Sequence, residues 1–475
     1  MQRRALGQCG MPRIDVSSHG MKISEIRVLG LFNAFNHQIR INNADRITII
    51  HGSNGVGKTT VLKMIDDIFH SRFVSLRRVP FDEVVIGFES GSELHILRSE
   101  KIDDDTGRQL AELHAFEKRA DSSVTKSINL SATKKSAHVP ASFLENRFES
   151  LSRLGPGEWY DGEFDDVLDY EGVLERYGEH IPGLEKPKYP KWLDEVLSLD
   201  VLMIETQRLS AHAVEPSRAP YPVRPGRPGR PGRRSSSAVD LLAGDLINQI
   251  RVSLATYAEA SQSLDRTFPL RLLSRARQAD QNATPEEIRR RYENQSTTRT
   301  KLIAAGLIDQ SEPLQLPDKE LNDTEAHVLW TYLNDVDEKL RVLEPMSDKI
   351  DLFLEILNNK YQATNKAIRV DRQDGFVIQT EANRNLEPRL LSSGEQHELV
   401  LAYRLIFQVK PDSLILIDEP ELSLHPAWQQ VFIDDLERIS ETSKLDFVLA
   451  THSPVLIGRR YDLTVSLATD GELIL

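Results

Sequence analysis

The 475-residue chain contains a single cysteine, Cys9. One thiol cannot close an intrachain disulfide or supply a paired-cysteine zinc hook or ribbon, so the chain fits a reducing cytosol. No run approaches the roughly 20 consecutive apolar residues needed to span a bilayer, which argues against a membrane partner. An excess of positive charge is also missing, since the formal net charge is -13. An acidic chain does not coat nucleic acid in bulk, so any DNA or RNA contact must come from a local basic surface. The opening residues, MQRRALGQCGMPRIDVSSHGM, are basic but have no apolar core, which excludes a signal peptide. They read as a flexible leader over 1–21, with Met1 or Met21 as the true start.

What is present is the composition of a soluble globular protein, 40% hydrophobic and 28% charged. The length exceeds one ordinary core and implies a large domain with an insertion, or two domains. KISEIRVLGLF (Lys22 to Phe32) alternates apolar and polar residues as a half-buried strand does. RITII (Arg46 to Ile50) is a β-branched run that leads into HGSNGVGKTT, after which Val61, Leu62, Ile65, Ile68 and Phe69 recur at helical spacing. Asp82 to Phe88 and Glu93 to Arg98 predict an antiparallel pair joined at ESGS. The stretch from 100 to 200 is polar and gives no clear period, and Val201 to Leu209 is again strand-like. Pro216 to Ser237 repeats Arg-Pro-Gly without an acid and cannot hold a helix or a strand. Two readings stand for it: a solvated loop, or a salt-sensitive tether for nucleic acid or a partner.

Residues 238 to 361 follow a helical period. Thr284 to Glu287 (TPEE) predicts a capping box with proline at the first helical position. Leu329, Tyr332, Leu333, Val336, Leu340 and Leu343 form one apolar stripe up to Pro345, and Ile350, Phe353, Leu354 and Leu357 continue a second helix. Short antiparallel helices are expected here. Ala367 to Thr380 predicts a hairpin with Asp-Gly at its turn. RLLSSGEQHE (Arg389 to Glu398) then opens a helix from about Gly394 to Phe407. LILIDEPELSLHP (Leu414 to Pro426) and FVLATHSP (Phe447 to Pro454) begin as continuous apolar runs and end polar. Parallel strands buried on both faces have this pattern, with ligand groups at their carboxyl ends.

GSNGVGKT (Gly52 to Thr59) fits the phosphate-binding pattern G-x-x-x-x-G-K-[ST]. Its candidate nucleotide-binding residues are Gly52, Ser53, Asn54, Gly55, Val56, Gly57, Lys58, Thr59 and Thr60. Glycines let backbone N–H groups converge on phosphate oxygens, and the following helix adds its dipole. Lys58 is placed to reach the β- and γ-phosphates and Thr59 to put its hydroxyl on Mg²⁺. Asp418, at a strand end, is a second Mg²⁺ candidate, and Glu419 beside it can orient or deprotonate the attacking water. A chance glycine loop and an acidic strand cap are the bland alternatives. The strand before the loop, the helix after it and the pairing of the two motifs argue against them. His452 ends the next apolar strand, where a lone histidine is more often structural, but here it can sense a γ-phosphate. Gln207 is a further candidate for Mg²⁺ or water, on a spacing that is not diagnostic.

In this order the motifs resemble the ATP-binding-cassette ATPases: Walker A (Gly52 to Thr59), a Gln loop (Gln207), the signature LSSGE (Leu391 to Glu395), Walker B (Leu414 to Glu419), a D-loop (Leu422 to Pro426) and a switch histidine (His452). The resemblance covers about 20 to 100 and 365 to 475. It implies an α/β P-loop NTPase fold, an ABC-type ATPase head with a mixed sheet and an antiparallel β subdomain. The head would span 22–210 and 363–475, interrupted by the Pro/Gly/Arg loop (211–240) and a helical insertion (241–362). It further implies ATP and Mg²⁺ as cofactors, and Ser392, Ser393, Gly394 and Glu395 as contacts to ATP held by a second copy. Ser393 stands where the family has its first signature glycine, a replacement often seen in non-transporter branches.

Among branches, IDEPELSLHPAWQQ with LATHSPVLIG looks most like the overcoming-lysogenization-defect type of ATPase and its relatives in the Septu, retron-associated and PARIS anti-phage systems. Ser263 to Leu273 also resembles a segment of that group. Full-length lysogenization-defect proteins carry a Toprim nuclease after the ATPase, and only a short tail follows His452 here. The resemblance therefore implies a cytoplasmic regulatory ATPase that forms a homodimer or higher oligomer and controls a separately encoded effector. Two other readings remain open: a DNA repair ATPase that clamps DNA, and an ATP-dependent scaffold with little turnover.

Overall fold

The computed structural model describes residues 21–102, 109–130, 139–148, 150–155, 157–162, 166–181, 188–205, 238–275, 284–309, 316, 321–382, 384–387 and 390–467. The leader, Gln207 and the Arg-Pro-Gly stretch lie outside them. The chain forms two compact units, one of Met1–Ile41, Lys63–Val201 and Leu467–Leu475, the other of Asn42–Leu62 and Leu202–Ser466.

The first unit holds a six-stranded antiparallel sheet in the order Phe35–Arg40, Ile23–Leu31, Glu83–Phe88, Glu93–Ile102, Gln109–Lys118, Ile128–Asn129. The pair expected around ESGS is present, in register from Glu83↔Leu97 to Gly87↔Glu93. Along the first strand Ile23, Ile26, Val28 and Leu31 are buried; period two holds between Ile26 and Val28, and register shifts on either side bring Ile23 and Leu31 inward. The stretch with no clear period contains a three-stranded sheet of Leu151–Gly155, Glu158–Asp161 and Asp166–Asp169. These strands have one wet face and only a small core around Trp159, Leu168, Val173 and Tyr177, so too few apolar residues recur to reveal the period.

The second unit is built on a five-stranded sheet ordered Val201–Glu205, Leu414–Asp418, Asp446–Ala450, Ile47–His51, Thr464–Ser466. The last four run parallel. Continuous apolar runs fill it because helices and sheet faces bury both sides. The register sets Asp418 beside Ala450 and Ala450 beside Ile50. The loops after these strands therefore leave the sheet at one edge, although they lie in distant parts of the sequence. With the loop Gly52 to Thr59 leading into the helix Lys58–Phe69, this is an α/β P-loop NTPase fold.

Four helices follow residue 237: Ala238–Arg275, Pro285–Ala304, Asp323–Arg341 and Glu344–Tyr361. The first, at 38 residues, is not short as the sequence suggested. It runs through Pro269, which supplies no N–H to the preceding turn. The missing N–H is the one that would reach the Asp265 carbonyl; nearby, Thr267 Oγ1 donates to the carbonyls of Ser263 (2.9 Å) and Leu264 (3.3 Å), and Arg271 donates to that of Leu264 (2.6 Å). At Thr284 only half of the expected capping box forms. The hydroxyl accepts from the Glu287 N–H, while the Glu287 carboxylate pairs with Arg290. Leu333, Val336, Leu340 and Leu343 are buried as expected, but Tyr332 lies at the margin of the stripe and is 45% exposed.

These helices share one core with the parallel sheet. Ile47, Ile49, Ile415, Ile417 and Leu449 from the strands join Leu246, Val336, Phe353, Tyr361 and Tyr403. Only Ile288, Ala326, Trp330 and Leu333 form a separate small cluster. Among the described residues, no helix is long and apolar enough to cross a membrane.

The Asp-Gly hairpin pairs Lys366–Asp371 with Gly375–Thr380. Gly375 has φ +78°, and a Cβ there would stand 2.3 Å from the Ala243 carbonyl oxygen. Both conditions exclude a side chain. Gly375→Ala is expected to destabilise this unit by roughly 2–3 kcal/mol, read as a lower urea midpoint for its unfolding. An unchanged midpoint contradicts the close approach.

Candidate functional site

The loop between the strand Ile47–His51 and its helix turns on Gly55 (φ +86°) and Gly57 (φ +94°). At Gly55 a Cβ would meet nothing within 4 Å, so its requirement is conformational and not steric. Ser53, Asn54 and Gly55 are exposed at the loop tip, Gly52, Gly57, Thr59 and Thr60 are half-buried, and Val56 is buried. The helix starts at Lys58, and its first-turn N–H groups have no partners within the helix. An anion is the natural acceptor for them.

Lys58 is 4% exposed. Its Nζ donates to the carbonyls of Gly52 (3.0 Å) and Ser53 (3.2 Å) and lies 3.3 Å from His452 Nδ1. Burial pushes this ammonium below the usual lysine value, against the opposing pull of Glu419, Asp418 and Glu421. A buried cation facing three carboxylates can exchange its weak carbonyl partners for phosphate oxygens. Thr59 Oγ1 donates to Asp418 Oδ1 at 3.0 Å. A hydroxyl and a carboxylate, both hard oxygen donors, suit Mg²⁺, which binds through few protein ligands and keeps water and phosphate for the rest.

Glu419 has left-handed backbone, φ +45° and ψ 56°, directly before Pro420. That is strained for a residue with a side chain, and more so before proline. Its N–H donates to the Ala450 carbonyl (2.9 Å) and its carbonyl accepts from Leu422 N–H (3.2 Å). The carboxylate is 3.8 Å from His452 Nε2. Lys58, Thr59, Asp418, Glu419 and His452 thus meet at the carboxyl edge of three adjacent strands, within one unit. Gln207 falls outside the described residues.

Sequence reasoning passed over Glu421 and Gln429. Glu421 Oε1 accepts from Thr451 Oγ1 (2.8 Å) and from the His452 N–H (2.8 Å). Gln429 Nε2 donates to the carbonyls of Glu421 and Leu424 (3.2 Å each), and its Oε1 accepts from Ser453 Oγ (3.0 Å). The one available signal was a third acid in D-E-P-E, which says nothing of partners.

The signature residues start the helix Ser393–Tyr403, which passes into a π-helical turn over Arg404–Gln408. Ser392 and Glu395 form a capping box: Glu395 N–H donates to Ser392 Oγ (3.3 Å), and Ser392 N–H to Glu395 Oε2 (2.7 Å). Glu395 is 2% exposed and also accepts from Thr364 Oγ1 and Lys366 Nζ, at 2.8 and 2.9 Å. These contacts hold its carboxyl below the usual range, although burial opposes them. The contact with a second copy expected of Glu395 is therefore not open to its side chain. Ser392 and Ser393 are exposed. A Cβ at Gly394 would meet only the Trp428 ring, at an ordinary 3.8 Å, so nothing among the described residues demands glycine there.

Residues 248–458 match the family model described as AAA domain, putative AbiEii toxin, Type IV TA system. The chain is similar to the Retron Ec83 probable ATPase of Escherichia coli, 25% identical over 169 residues, or 30% of this chain and 31% of the relative. It is also similar to Protein ea59 of Escherichia phage lambda, 36% identical over 75 residues, or 15% of this chain and 14% of the relative. The chain thus spans less than a third of either relative. Solved Smc head domains from Pyrococcus furiosus and Thermotoga maritima align over 95% and 94% of this chain and 94% of each of theirs, at 14% and 13% identity, with TM-scores of 0.33 and 0.30.

Lys58→Ala removes the only side-chain cation in this group of contacts. Its affinity for a fluorescent ATP analogue is expected to fall about 10- to 150-fold, the worth of a hydrogen-bonded charge. Retained affinity in a folded variant contradicts the assignment.

Proposed function

We propose that the protein is a Mg²⁺-dependent ATPase that pairs head to head around ATP. The observation that carries this reading is the meeting of Lys58, Thr59, Asp418, Glu419 and His452 at one sheet edge. Lys58 and the loop N–H groups bind the phosphates, and Thr59 and Asp418 hold Mg²⁺. The ion, when bound, neutralises charge that develops on the phosphoryl oxygens. Glu419 orients and deprotonates the attacking water. Its strained backbone keeps the carboxylate at the strand tip, beside His452, which reads the γ-phosphate.

Each site is completed by Ser392, Ser393 and Gly394 of a second copy. The exposed cap and the unexplained glycine support this, because a close-approaching phosphate is what a Cβ at Gly394 would obstruct. ATP then favours the paired state only to the extent that it binds that state more tightly.

The cellular reading is a regulatory ATPase of an anti-phage system that controls a separate effector. It is supported by similarity to a retron ATPase and to a family model described as a putative toxin of a toxin–antitoxin system. Two variants test the biochemical core. Glu419→Gln is expected to bind ATP yet turn it over about 10²-fold or more slowly. Ser392→Arg is expected to bind ATP with near wild-type affinity while losing ATP-driven pairing, followed by light scattering. If Ser392→Arg still pairs and hydrolyses, the shared site is wrong. Co-purification with the product of the neighbouring gene tests the effector.

A further inference from the structure

We infer that Glu421 is a positioning residue that fixes the switch-histidine turn to the segment after Walker B. The inference rests on the ATPase reading for its kinetic consequence and on geometry alone for the anchoring. His452 lies beyond the strand Asp446–Ala450, one residue past the last sheet bond, Thr451 N–H to the Ile50 carbonyl (3.1 Å). Two side chains hold the turn from the segment Pro420–Gln429. The Glu421 carboxylate takes the Thr451 hydroxyl and the His452 N–H on a single oxygen, both at 2.8 Å. Gln429 ties the carbonyls of Glu421 and Leu424 to the Ser453 hydroxyl. Thr451 Oγ1 in turn accepts from the Ser453 N–H at 2.9 Å. Thr451, His452 and Ser453 are thus all held from the segment that also carries Glu419.

The anchor needs an acceptor oxygen at this position, and the Glu421 side chain supplies it within electrostatic reach of the Lys58 ammonium. Among the described residues its second oxygen, Oε2, is buried without a hydrogen-bond partner, so the contacts of this carboxylate fall on Oε1. The consequence is a mechanical link. A shift of the loop after Asp418, such as a partner copy pressing on the exposed Leu422 (57% exposed), pulls on the His452 backbone through Glu421. The histidine ring is thereby set against Lys58 and Glu419 only when that loop is in place.

The test measures amide hydrogen exchange over 451–456 in the nucleotide-free full chain, together with ATP affinity and turnover. In Glu421→Ala the His452 amide is expected to exchange about tenfold faster or more, the loss of one bond to a charged acceptor. ATP affinity should stay within about threefold while kcat falls about 10²-fold, as for a displaced group that does not itself bind substrate. Glu421→Gln keeps an acceptor oxygen at Oε1, so protection and most of the turnover should return. If the alanine variant does not fold, Glu421→Met, of similar volume and without an acceptor, replaces it. Unchanged exchange overturns the anchor. Faster exchange with unchanged kcat overturns the positioning role. Failure of Glu421→Gln to rescue overturns it as well, since the charge and not the bond would then matter. A wild-type chain that does not hydrolyse ATP sinks the ATPase reading, and the exchange data still decide the anchor.

Discussion

A buried ammonium governs the rest of this site. Lys58 is nearly sealed from water and is surrounded by Asp418, Glu419 and Glu421. A cation in that position needs compensating charge and hydrogen bonds, and carboxylates packed together need a cation. Their attraction ties the start of the chain to its last quarter. The Thr59–Asp418 bond adds a second tie across the same gap. Only parallel strands in aligned register can present both sides at one edge, and the apolar runs of Ile47–His51, Leu414–Asp418 and Asp446–Ala450 supply that alignment.

The signature helix is held by a different kind of constraint. Its N-terminus is fixed by the Ser392–Glu395 box, and Glu395 is fixed in turn by Lys366 from the hairpin. Further along, Glu398 is buried with Lys360 and Asp435 in a shared ion cluster. The two carboxylates hold the Lys360 ammonium above its ordinary value although burial opposes them. The aromatic group of Phe353, Phe376, Tyr403 and Phe407, with centroids 4.8–6.3 Å apart, packs the same helix against its neighbours. These contacts restrain the helix along its length behind the exposed Ser392 and Ser393.

Legibility in the sequence followed the range of the interactions. Gly55 and Gly57, the apolar strands and the Asp-Gly hairpin were all readable, because backbone conformation and burial on both faces leave local traces. The three-stranded sheet near Trp159 was not, because short strands with one wet face carry too little periodicity. The 38-residue helix was misjudged because its length leaves no local mark in the sequence, and its interior Pro269 does not end it. Glu395 was grouped with the exposed signature residues on its neighbours' account, and Lys366 drew its carboxylate inward.

The sequence by itself determined the phosphate loop, the paired acids Asp418 and Glu419, and the class of fold. Each depends on residues adjacent in the chain, whose conformational preferences act locally. Only the tertiary structure decided which carboxylate does what. Asp418 faces Thr59, Glu419 is forced into left-handed backbone, Glu421 turns back to the His452 amide, and Glu395 is buried as a cap. The four acids have similar intrinsic chemistry but differ here because strand register places Asp418, Glu419 and Glu421, while a local cap with Ser392 and the hairpin Lys366 place Glu395.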